Sequence, residues 1–122
     1  MLDKERLIGK YRGIFDCETG EEHDIVELYI DELNKLKGTS TCSSGYVYTL
    51  QCLYIDENVI VFSYYLNREN TTEIIENIDT NISVGHCIFK LTMNGNLEGV
   101  FINPYPYEHI DKNCGNYKLI KI

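Results

Sequence analysis

Few residues in this sequence have the types and spacing that chemistry requires. The imidazoles are His23, His86 and His109, and the thiols are Cys17, Cys42, Cys52, Cys87 and Cys114. A nucleophilic thiol needs a base within hydrogen-bond reach, and a structural metal site needs four converging ligands, usually in closely spaced pairs. No two cysteines here form a C-x-x-C pair, and the three histidines lie on separate segments. A pairing of His86 with a cysteine stays open, although no spacing calls for it. There is no G-x-S-x-G elbow, no phosphate-binding P-loop, no G-x-G-x-x-G ahead of a helix and no H-E-x-x-H. Adjacent carboxylates such as Glu21–Glu22 read as a solvated face rather than as an acid–base pair. The expectation is a protein that is not an enzyme and that uses neither metal nor cofactor.

Tyrosine is the residue type used to excess, with ten Tyr against four Phe and no Trp. Its ring packs, and its hydroxyl wants a partner once buried; a set of such rings can also stack on a planar ligand such as a nucleobase. Tyr11, Tyr54, Tyr64 and Tyr117 are expected to point inward, either as core filler or as the lining of a pocket.

Charge narrows the partners. The formal net charge is −8, and Asp16, Glu18, Glu21, Glu22, Asp24, Glu27, Asp31 and Glu32 follow one another without an intervening Lys or Arg. Duplex nucleic acid is bound by basic surfaces, so that class of partner is disfavoured. A small anion can still enter a pocket whose local charge differs from the surface total. With 43% hydrophobic and 25% charged residues the composition is that of a globular domain, and one domain spanning 1–122 is expected. The opening "MLDKERLIGK" is not a secretory signal, no apolar run approaches the roughly 18 residues of a membrane span, and the odd cysteine count suits reduced thiols. A cytoplasmic location follows as an expectation.

The elements that must position these residues have a period of two. In "IVELYIDEL", Val26, Leu28 and Ile30 alternate with Glu27, Tyr29 and Asp31; in "HCIFKLT", Cys87, Phe89 and Leu91 alternate with His86, Ile88 and Lys90. "NLEGVFI" places Leu97, Gly99 and Phe101 on one face, and "GNYKLIKI" sets Tyr117 and Leu119 against Lys118 and Ile120. "ETGEEH", "LKGTS", "DEN", "MNGN" and "DKNCGN" carry the residues of hairpin turns. About eight strands result, near 8–16, 25–33, 36–44, 46–55, 59–66, 84–92, 96–103 and 115–122. The interval 67–83 reads as a long loop or one short helix over a barrel end, and Pro104 and Pro106 mark a loop or edge. So many strands with so little helix must close on themselves to remove their edges. The fold class predicted is all-β, an eight-stranded antiparallel up-and-down barrel of minimal lipocalin-like form. Gly9 and Gly13 around Tyr11, and Gly99 beside Phe101, are expected where neighbouring backbones crowd in a tightly coiled strand.

The succession "GKYRG", "VFSYYL", "GHCIFKL", "GNLEGVF" and "CGNYKLIKI" resembles the β-strand-rich sensor domain of bacterial two-transmembrane, CBASS-like antiphage effectors, over roughly residues 8 to 122. The resemblance implies a barrel that binds a cyclic oligonucleotide second messenger and thereby promotes oligomerisation of a membrane-anchored effector. Membrane attachment in that family comes from helices ahead of the barrel, so here it is expected only through segments outside this chain. The candidate ligand-binding residues are Tyr64 and His86, with Arg12 and Tyr105 beside them; Arg12, Lys90 and Lys118 are the cations on strands. Two other classes stand next to this one. A carrier or receptor for a small apolar metabolite suits the inward set Phe15, Leu28, Phe62, Phe89 and Leu91, and a protein-interaction barrel suits the acidic stretch.

Overall fold

Alternation in the sequence becomes alternation of inside and outside around a closed wall. The computed structural model describes residues 4–17, 20–43, 45–67, 84–103 and 114–122. A 3-10 turn, Lys4–Leu7, precedes β1 (Gly9–Cys17), β2 (Gly20–Ile30), β3 (Leu36–Cys42), β4 (Val47–Ile55), β5 (Ile60–Leu66), β6 (Val84–Leu91), β7 (Leu97–Ile102) and β8 (Cys114–Lys121). Each strand pairs antiparallel with the next, and β1 closes on β8 by setting Tyr11–Phe15 against Tyr117–Lys121. The eight-stranded up-and-down antiparallel barrel expected from the sequence is thus the fold. Among the described residues no helix is long and apolar enough to cross a membrane. The 67–83 interval beyond Asn67, the Pro104–Pro106 segment, Tyr105 and His109 lie outside the described residues.

β2 departs most from the sequence reading. It begins at Gly20, so the acidic stretch "GEEHD" is strand and His23 is a strand residue, not a loop one. The same strand ends at Ile30, because Asp31 turns the chain: its Oδ1 accepts the N–H groups of Leu33 and Lys35, each at 2.9 Å. A carboxylate that accepts nearby amides in this way offers the backbone an alternative to the ladder.

The barrel has a dry end and a polar end. At the end where β1 begins, here the lower one, Leu7 is fully buried and the Tyr11 hydroxyl donates to its carbonyl at 2.8 Å. Tyr11, Val26, Ile60, Phe62, Leu97 and Leu119 are completely buried around that plug. A series of edge-to-face rings climbs from there: Phe62–Phe89 at 6.2 Å, Phe89–Tyr117 at 5.3 Å, Tyr117–Phe15 at 5.5 Å and Phe15–Phe101 at 6.2 Å. Pairs in this geometry add about 0.5–1.5 kcal/mol each beyond the area they bury. The expected inward positions of Tyr11, Tyr64 and Tyr117 and of the five apolar residues are those observed.

Tyr54 corrects that expectation. A register shift between Cys52 and Tyr54 on β4 interrupts strict alternation, and Tyr54 points outward, with its hydroxyl donating to Asp56 Oδ2 at 3.0 Å. A bulge inserts one residue and so reverses the face of those that follow.

The three glycines expected at crowded backbones differ, and at Gly9 the neighbour is the Lys121 side chain, not backbone. At Gly99 a Cβ would run into the Ile88 carbonyl of β6, the backbone crowding that was anticipated. At Gly13 the neighbour is a side chain instead: a Cβ there would overlap Asp24 Oδ1.

Candidate functional site

Asp24 stands out because a carboxylate has no ordinary place inside such a wall. It is there because β2 starts early, which puts Asp24 on the same face as Val26 and Leu28, opposite Gly13 on β1 and Cys42 on β3. Only 3% of it remains exposed, and among the described residues it is the one buried member of the Asp, Glu, Lys and Arg set. Ser40 Oγ on β3 donates to Asp24 Oδ2 at 2.5 Å, and the Tyr117 hydroxyl on β8 donates to the same oxygen. Among the described residues Oδ1 has no hydrogen-bond partner. It rests over Gly13, with Leu119 Cδ2 beside the same spot. An unsatisfied buried acceptor costs about 1–3 kcal/mol, and such an atom calls for an explanation.

Electrostatics around Asp24 favour neutral groups. Burial pushes the Asp24 carboxyl above the usual carboxylate range; the Ser40 and Tyr117 donors and its own amide pull the other way, and Glu22 adds a smaller upward push. The Tyr117 phenol is held well above its ordinary value, by burial first and then by Asp24. The Cys87 thiol is likewise raised well above the ordinary value by full burial and by Asp24. A thiol in that state is a small apolar filler, not a nucleophile. Among the described residues no group of three His, Cys, Asp or Glu side chains converges to hold a metal ion.

Above Asp24 the interior turns aromatic and polar. Phe15 and Tyr117 meet edge to face over it, and Tyr48 and Tyr64 meet at 5.7 Å across β4 and β5. The Tyr64 hydroxyl donates to Asn103 Oδ1 and occupies the notch left by Gly85, where a Cβ would strike it. Inward residues toward both ends are half-buried, Phe15 and Tyr64 on this side and Ile30, Ile55 and Leu91 on the other, while Tyr11, Phe62 and Leu119 between them are fully buried.

The residues picked from the sequence do not all meet here. Tyr64 is inward, packed against the core and edge to face with Tyr48. His86 is exposed on the outer face, between Ser63 of β5 and Ile102 of β7. Arg12 is exposed between Ile25 of β2 and Ile120 of β8. Lys90 and Lys118 also face outward, with Glu98 between them in register. Each lies one residue from an inward neighbour, and period two sends it to the other face. Asp24 and Ser40 were missed as site residues. The available signal was alternation: carried two residues back from Val26, it reaches Asp24.

Comparison of this chain with family models, with curated proteins and with solved structures finds no match. The chemistry of the barrel therefore rests on its own geometry. The Ser40 and Tyr117 hydroxyls are committed to Asp24, and the aromatic edges of Phe15, Tyr48 and Tyr64 are the surfaces that lie toward the upper end.

Proposed function

We propose that the chain is a non-catalytic binding module that takes a small, ring-bearing ligand into the upper half of the barrel. The observation that carries this reading is the asymmetry of the interior. Leu7 and Tyr11 seal one end, while Phe15, Tyr48, Tyr64 and the Asp24–Ser40–Tyr117 cluster lie toward the other. An eight-stranded barrel has room for its own side chains or for one small ligand. Tyrosine edges and faces suit a planar ring.

The ligand class we propose first is a cyclic oligonucleotide second messenger, acting in antiphage defence by driving assembly of a membrane-anchored effector. That step rests on the resemblance of the strand motifs. On this reading the bases enter the chamber and the phosphates stay at its rim, because the described cations on strands all face outward. A carrier of a small apolar metabolite is the second reading, favoured by the apolar inward set Phe15, Phe62 and Phe89. A protein-interaction barrel is a third reading, favoured by the acidic residues Glu21, Glu27 and Glu32 that remain exposed.

Thermal-shift and calorimetric titration of the full chain with cyclic dinucleotides and trinucleotides, run beside fatty acids, tests the proposal. A ligand that binds only the folded barrel raises its melting temperature. A rise with cyclic nucleotides supports the sensor reading. A rise with fatty acids alone replaces it by the carrier reading.

A further inference from the structure

We infer that the outer face over the β8–β1 seam docks on the anionic surface of a lipid bilayer, with Lys10, Arg12 and Lys118 at the headgroups and isoleucines between them. The inference concerns the outside of the wall, so it goes beyond the reading of the interior and stands or falls without it.

Charge is divided unevenly around the barrel. Among the described residues, the N-terminal turn, β1 and β8 hold six cations, Lys4, Arg6, Lys10, Arg12, Lys118 and Lys121, against the carboxylates Glu5 and Asp16. The other described segments hold nine carboxyl side chains against Lys35, Lys37 and Lys90. A chain of net charge −8 thus keeps one cationic side. Strands spaced about 4.8 Å apart put β4 and β5 across the ring, beyond the roughly 8 Å over which charge acts at physiological salt. Lys10, Arg12 and Lys118 are exposed and form no ion pair among the described residues, although Glu27 stands opposite Lys10 and Glu98 opposite Lys118. Lys121 donates to the Arg6 carbonyl at 3.3 Å, a bond that leaves its charge in place.

What lies between the cations narrows the partner. In register across the seam run Ile25, Arg12 and Ile120, and in a second row His23, Ile14 and Lys118. Ile8, Ile25 and Ile122 are exposed. The aromatic residues of β1 and β8, Tyr11, Phe15 and Tyr117, all turn inward, so this face offers no ring on which single-stranded nucleic acid could stack. β1 and β8 are paired with each other, so there is no open strand edge for a peptide to extend. A bilayer suits both features. Anionic headgroups attract Lys and Arg, and aliphatic side chains bury at the boundary between headgroups and acyl chains.

The test is co-sedimentation of the full chain with vesicles of phosphatidylglycerol and, separately, of phosphatidylcholine. Binding to the anionic vesicles is expected to be tighter by about 10-fold or more and to weaken as salt is raised. Arg12→Gln combined with Lys118→Gln removes two exposed cations and is expected to weaken that binding by about 10- to 30-fold, with the fold checked by circular dichroism. Equal affinity for the two kinds of vesicle, or binding to neither, overturns the inference. So does undiminished binding by the folded double variant. Binding to polyglutamate while neither vesicle binds also overturns it and assigns the face to an acidic protein partner. The wild-type comparison needs no variant, so misfolding of the double variant does not remove the test.

Discussion

Gly13 and Asp24 face each other across the β1–β2 ladder, and the carboxyl of Asp24 fills the volume that a side chain at position 13 would need. The glycine is thus explained by its partner rather than by its own strand. Gly13→Ala is expected to destabilise the barrel by about 1–3 kcal/mol through overpacking. In an Asp24→Ala background the same change should cost less, with a coupling of about 0.5 kcal/mol or more. Urea denaturation of the four proteins in the cycle measures it. Additive effects would show that the two residues do not compete for space.

Asp24 also sets a pH dependence. Its folded pKa is raised above the unfolded value, so between those two values the native state holds a proton that the unfolded state has released. The stability from this group is fully present below the ordinary aspartate range and is lost as pH rises toward the raised value, with a limiting slope of about 1.4 kcal/mol per pH unit. Asp31 and Asp56, lowered by the turn amides they accept, work in the opposite direction, toward loss of stability as pH falls. Asp24→Asn should abolish the decline on the alkaline side while leaving the acid side in place. Melting temperature against pH, for wild type and variant, provides the check.

Tyr117→Phe keeps the ring that Phe15 and Phe89 contact and removes only the donor to Asp24. We expect a loss of about 1–3 kcal/mol. The Asp24 pKa should move further up, because a hydrogen bond to the carboxylate favours its charged form. Carbon-13 NMR titration of the Asp24 carboxyl reads that shift directly, and a pKa that stays put would mean the hydroxyl does not bond to Asp24 in solution.

The outward residues Arg12 and His86 give a contrast for ligand binding. Tyr64→Ala should weaken binding of a stacked base by about 1–3 kcal/mol. Arg12→Ala and His86→Ala, on the opposite face of their strands, should change affinity by no more than about 0.5 kcal/mol. Calorimetry on the three variants distinguishes the faces, and a large loss with Arg12→Ala would place the ligand outside the barrel.

Much of this protein is determined by sequence alone, and the reason is period two. A strand with one buried face must alternate, so the runs around Leu28, Phe89, Leu97 and Tyr117 declare their inward sides, and short Gly- and Asn-bearing turns make neighbours antiparallel. Eight such strands with so little helix in the sequence pattern to cover them have closure as the way to lose their edges. Tertiary structure decided what alternation cannot carry. A bulge on β4 turned Tyr54 outward, because one inserted residue reverses the pattern beyond it. Arg12 and His86, attractive as residue types, were sent to the outer face by the register of their own strands. The Asp24 cluster draws on β1, β2, β3 and β8, whose members stand far apart in the chain. Only closure of β1 against β8 brings Tyr117 within reach of Asp24 and makes one acidic residue in a run of eight the polar centre of the barrel.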